Sequence, residues 1–145
     1  MLVIDLIDKV RSFIGDEDSL NYRYTDNVLR DTKIPVGIDL FNLKMDRQFE
    51  ITGTGDSAEI SLEPTASEIP LICLYTVKGI LDGEIQQNAH KAVVITDPAG
   101  RSDLTKISAE LREQRDRIQE QIKEEESKAR ISGAILDSEV SEDAF

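Results

Sequence analysis

Val3, Leu6, Ile7, Val10, Phe13 and Ile14 recur at intervals of three and four, which predicts an amphipathic helix with a broad apolar face. Gly15 follows as a C-terminal cap, and residues 15–19 form a polar loop. A second, short helix starts at Thr25, whose hydroxyl can hold free N–H groups, with Asp26 favourable in the first turn. It carries Val28 and Leu29 inward and ends near Thr32, ahead of Pro35. From Val36 the period becomes two. Val36, Ile38 and Leu40 alternate, then Phe41, Leu43 and Met45 alternate in the opposite phase, as strands with a bulge or a strand end near Leu40. Phe49 and Ile51 before Gly53-Thr54-Gly55-Asp56, and Ala58, Ile60 and Leu62 after it, read as a β-hairpin.

Pro64 ends the strand region, Ser67 offers a cap, and Pro70 falls in a first turn where no N–H is needed. Residues 69–77 are apolar almost all round, the pattern of a helix buried by its neighbours. Gly79 and Gly83 stand one turn apart on that helix, at about 1 kcal/mol each relative to Ala, and either allow another backbone to approach or mark where the helix frays. Ala92-Val93-Val94-Ile95-Thr96 is a short β-prone run, and Asp97-Pro98-Ala99-Gly100 a turn. Ser102 or Asp103 then caps a last helix.

Leu104, Ile107, Leu111, Ile118, Ile122 and Ala129 fall on that helix within a stripe about 60° wide, narrow like a coiled-coil seam. Glu113 with Arg117, Glu124 with Lys128 and Glu126 with Arg130 are favourably ordered pairs on its charged flanks. Over residues 104–130 it spans about 40 Å, and its seam suits lying along the central helix or along a neighbouring protomer. The pattern then lapses. Residues 131–145 read as a flexible acidic tail, in which Ile135, Leu136, Val140 and Phe145 are either anchors that order against a partner or part of a merely solvated end. The fold class is mainly α: a small helical bundle with a long C-terminal helix and an inserted β-hairpin. Residues 1–130 form a single domain with the insert at about 36–62.

Composition bears on partners. The chain of 145 residues is 39% apolar and 32% charged, enough for one modest core under a strongly solvated surface. Asp and Glu outnumber Lys and Arg by 29 to 17, a net charge of −12. That disfavours adhesion to nucleic-acid phosphates and to anionic membrane, and favours basic protein partners or a surface that DNA passes without sticking. The segment beginning Met1-Leu2-Val3-Ile4-Asp5 lacks a basic region, and residues 69–77 are about half a bilayer span, so neither a signal peptide nor a membrane helix is expected.

Candidate chemistry is sparse. Cys73 lies in an apolar run and reads as a small buried hydrophobe. His90 beside Lys91 reads as a surface residue. Asp16, Glu17 and Asp18 hint at calcium ligands, but Leu20 and Tyr22 stand where such a loop needs a ligand and a glycine, so an exposed acidic loop is the better reading. Gly53-Thr54-Gly55 lacks the Lys and the following helix of a phosphate loop. No Cys/His set can build a zinc site. The residues thus point to no enzyme, no cofactor and no metal.

Three stretches together resemble the head-to-tail connector (adaptor) family of long-tailed bacteriophages. One is Val10-Arg11-Ser12-Phe13-Ile14-Gly15-Asp16 followed by Tyr22-Arg23-Tyr24-Thr25-Asp26-Asn27-Val28-Leu29. Another is the apolar helix from Ile69, and the third is Val93-Val94-Ile95-Thr96-Asp97 with Gly100-Arg101-Ser102-Asp103-Leu104-Thr105-Lys106 leading into the charged helix. Residues 36–62 depart from the family, many of whose members are shorter and more helical there. The resemblance implies a protomer repeated around a ring, commonly of about twelve copies. The ring docks beneath the portal protein, meets a neck, head-closure or tail-completion protein, and surrounds DNA without specific binding. It implies a place in the virion neck after synthesis in the host cytoplasm. On this reading the protomer and partner interfaces involve Phe49, Ile51, Ile60, Leu111, Ile118, Ile122, Ile135, Leu136, Val140 and Phe145. Two other readings suit the same residues: a free-standing coiled-coil interaction module, and an acidic inhibitor that mimics DNA.

Overall fold

The structure, a computed structural model, describes residues 1–94 and 97–143. Its axis is α4 (Glu68–Val94), in which Leu71, Ile72, Cys73, Leu74, Tyr75, Thr76 and Val77 are all buried. A helix apolar on every side needs neighbours on every side. Here α1 (Ile7–Ile14), α3 (Ile34–Met45) and α5 (Pro98–Asp143) supply them. The expected bundle with a long final helix and a small hairpin is the observed fold.

A single 3-10 turn (Val3–Leu6) leads into α1, which buries Ile7, Val10 and Ile14. Gly15 ends it at φ 71°, with the Asp16 N–H returning to the Arg11 carbonyl at 3.0 Å. Thr25 caps α2 (Asp26–Val28), its hydroxyl accepting from the Val28 N–H at 3.3 Å. That helix does not stop at Thr32. It widens into one π turn (Leu29–Lys33) and continues as α3, which carries Pro35 in its first turn. A widened turn is one way for a helix to pass a residue that lacks an N–H. Leu29 is buried as expected, but Val28 is not.

Residues 36–45 are therefore helix, not strand. The alternation of Val36, Ile38 and Leu40 concealed a second spacing: Ile34, Ile38 and Phe41 recur every three or four residues, and all three are buried. The helical face won because it delivers these side chains to α4. Gly37 sits at the closest approach, where a Cβ would collide with Thr76. The hairpin is shorter than expected, pairing β1 (Ile51–Thr52) with β2 (Glu59–Ile60), Ile51 opposite Ile60. Gly53 at φ 85° and Gly55 at φ 61° open the turn between them. Both Asn42 side-chain groups clamp the approach, donating to the Phe49 carbonyl at 2.8 Å and accepting from its N–H at 3.0 Å. The first residues extend the sheet: the Val3 N–H reaches the Ala58 carbonyl and the Ile60 N–H the Met1 carbonyl, each at 2.9 Å.

Thr65, not Ser67, marks the start of α4, where the Glu68 carboxylate accepts from the Thr65 N–H at 3.1 Å. The β-prone run is helical through Val94; Ile95 and Thr96 lie outside the described residues. Extending a formed helix by two valines costs a few tenths of a kcal/mol each. A strand there would need a partner, and none is present among the described residues. The expected turn at Asp97 is instead the start of α5. The Asp97 carboxylate accepts from the Ala99 N–H at 3.2 Å, and Pro98 takes the first helical position, so the start precedes Ser102 and Asp103. The far end also differs: α5 is helical to Asp143, past the boundary expected at Arg130. Residues 131–143 contain one glycine and no proline, so nothing local forces a stop. At 46 residues α5 is about 69 Å long, against about 40 Å for α4.

Candidate interaction surfaces

Six of the expected interface residues belong to the chain's own interior. Phe49 and Ile60 are each 3% exposed and Ile51 packs beside them, with the Phe49 ring stacked 5.8 Å from that of Phe41. Ile118 and Ile122 are buried, and Leu111 packs against the same core. The narrow seam of α5 thus lies along α4; Phe49, Ile60, Ile118 and Ile122 present no outer contact face, while Ile51 and Leu111 are partly buried. Ile135, Leu136 and Val140 have side chains outside the described residues, and Phe145 lies outside them altogether.

The seam also holds two polar residues, Glu126 buried and Arg115 partly buried, that their spacing could have revealed. Glu126 follows Ile122 by four and precedes Ala129 by three, which puts it on the apolar stripe. Rather than pairing with Arg130, it accepts a buried 2.5 Å hydrogen bond from the Tyr75 hydroxyl. The Tyr75 phenol is held well above its usual range, chiefly by burial and then by this bond to Glu126. Arg115, between Leu111 and Ile118, reaches across to Asp82 at 3.7 Å. These two links set the register of antiparallel α4 and α5.

A second polar cluster fixes the loop after α1. Arg11 shares the inner stripe of Ile7 and Ile14 and is only 3% exposed. Its guanidinium donates to Asp16 at 2.8 Å and to Asp26 at 2.5 Å, with the Tyr22 ring centroid 3.5 Å away. Asp16 also accepts from the Arg23 N–H at 2.9 Å. Asp16 is accordingly buried, whereas Glu17 and Asp18 form the expected exposed loop. Beyond it, the Tyr24 hydroxyl donates to Glu84 at 2.6 Å and Arg23 pairs with the same carboxylate, tying the loop to α4.

The features left facing outward are the candidates for contact with other molecules. On α3, Val36, Leu40 and Leu43 are 49%, 36% and 86% exposed, one stripe at helical spacing. Beside it on α4, a Cβ at Gly79 would come within 3.6 Å of Leu40 and 3.8 Å of Val36, and one at Gly83 would meet nothing within 4 Å. The absent side chains leave α4 low beside the stripe. Lys44, one turn beyond Leu40, leads into a cleft of about 150 Å³ lined also by Tyr75, Lys78, Gln119, Lys123 and Glu126. None of its three lysines has a carboxylate within 4 Å among the described residues. A wider depression, about 490 Å³, is walled by Asp5, Asp8, Asp26 and Asp56.

Cys73 is buried and its thiol is pushed up to about 12 by that burial, which removes it from nucleophilic chemistry near neutrality. His90 is exposed on α4. Among the described residues no group of three His, Cys, Asp or Glu is placed to hold a metal ion, and no helix is long and apolar enough to cross a membrane. The geometry defines a helical protein whose distinctive surface is an apolar stripe running into a cationic cleft. No known family, characterised protein or solved structure matches the chain.

Proposed function

We propose that this protein is a non-enzymatic structural subunit, a head-to-tail adaptor that forms a ring under the portal of a tailed phage and joins capsid to neck or tail. The observation that carries its role in assembly is the stripe of Val36, Leu40 and Leu43, three exposed apolar side chains at helical spacing on one face of α3. An apolar helix face of this kind gains free energy only when another surface covers it. The phage assignment is supported by the ordered resemblance of residues 10–29, 69–77 and 93–106 to the adaptor family. A net charge of −12 suits a protein beside a DNA conduit, because it repels phosphate and lets the duplex slide. The aspartate-walled depression would suit a basic face on a portal or head-closure partner.

The test is to mix the full chain with the portal protein encoded beside it and image the product at low and moderate salt. A stoichiometric ring on the portal is expected. A stable dimer that ignores the portal would favour a free-standing helical module, and salt-sensitive 1:1 binding to an unrelated basic protein would favour a DNA mimic.

A further inference from the structure

The cationic cleft is anomalous on so acidic a protein. Lys44 comes from α3, Lys78 from α4 and Lys123 from α5, and the cleft opens at the end of the apolar α3 stripe. The cleft holds three lysines against one carboxylate, Glu126, which is already engaged by the Tyr75 hydroxyl, so an added anion would be favoured there. An occupant with apolar groups for the stripe and carboxylates for the lysines would satisfy both features.

The chain contains one segment of that composition. Residues 131–145 carry Asp137, Glu139, Glu142 and Asp143, no Lys or Arg, and Ile131, Ile135, Leu136, Val140 and Phe145. Its position is equally informative. Tyr75 meets Glu126, so the start of α4, seven residues before Tyr75, lies opposite residue 133 or so, and α5 runs on to Asp143. About ten residues, roughly 15 Å of helix, therefore extend past the neighbour that α5 lies on. They continue the same helix that lines the cleft at Gln119, Lys123 and Glu126, so they lead away from their own cleft.

We infer that the groove formed by Val36, Leu40, Leu43, Lys44, Lys78 and Lys123 receives the acidic, apolar C-terminal segment of a second copy of this chain. Such a contact joins two different surfaces, head to tail, and repeated rotation closes it into a ring. The inference rests on the proposed ring-forming role and supplies its lateral contact.

The test is a charge exchange in the full chain, read by sedimentation velocity with portal binding measured in parallel. Lys44→Glu, Lys78→Glu and Lys123→Glu together should weaken self-association at least tenfold while leaving the helical circular dichroism unchanged. Adding Asp137→Lys, Glu139→Lys, Glu142→Lys and Asp143→Lys to that chain should restore it. Self-association untouched by the lysine reversal, no restoration by the second set, or a wild-type chain monomeric at every concentration would each overturn the inference. Where the lysine variant self-associates as the wild type does and both bind the portal as rings, the adaptor reading stands and this contact does not. Self-association restored by the exchange in a chain that ignores the portal would uphold this contact and sink the adaptor reading.

Discussion

Arg11 shows how one residue can organise a loop. An arginine on the apolar stripe of α1 needs a buried counter-charge, and Asp16 supplies it just past the Gly15 cap. Removing one partner strands the other in a poorly solvated site, a loss of about 3–5 kcal/mol. Arg11→Ala should therefore lower the urea midpoint steeply, whereas Asp26→Ala, whose carboxylate is largely exposed, should cost under about 1 kcal/mol. Equal effects would mean that the network is not held by the buried pair. Cys73 gives a prediction with a pH sign. Its thiol titrates near pH 9 when unfolded and is raised to about 12 by burial, so the folded state favours the protonated form. Stability from this group is complete below pH 9 and declines as pH rises from about 9 toward 12. A thiol reagent at pH 8 should label Cys73 only on unfolding, and rapid labelling of the native protein would contradict the burial.

The elements were legible where one periodicity was unopposed. The first helix, the Thr25 cap, the turn at Gly53, the buried run after Ile69 and the seam of the last helix all follow from local pattern. Residues 36–45 satisfied periods of two and of 3.6 together, and only the presence of α4 decided between them. The Asp97-Pro98 start of α5 was present in the sequence but outweighed by the turn signals around it. The surface was harder to read. Lys44, Lys78 and Lys123 are far apart in the chain, and no local spacing announces that three helices bring them together. The seam of the last helix is too narrow to stand alone and suits the central helix or a neighbouring copy; within the chain α4 takes that place. The glycines separate packing from docking. Gly37→Ala would drive a methyl into Thr76 and should cost at least 1–3 kcal/mol or so. Gly79→Ala meets only ordinary contact distances in a helix interior and should gain up to about 1 kcal/mol. If the groove is a docking face, Gly79→Ala should still weaken assembly while thermal unfolding shifts upward. Full assembly by that variant would remove Gly79 from the contact.

The whole molecule has a short body and a long arm. Four helices and a hairpin close one core around α4, while α5 runs past the end of that core. Its charge is unevenly arranged, with an aspartate-walled depression, a lysine cleft and an acidic C-terminal segment on one chain. Unlike surfaces on one chain favour head-to-tail contacts between copies over a symmetric dimer. The central claim is that this chain works as one subunit of a ring on a portal. The most direct measurement is the mass, by mass photometry, of the species formed when the full 16.2 kDa chain is mixed with the portal protein of the proposed assembly. The expected result is one dominant species heavier than the portal by a fixed whole number of chains, about twelve. An unchanged portal mass beside free chain, across protein and salt concentrations, would contradict the claim.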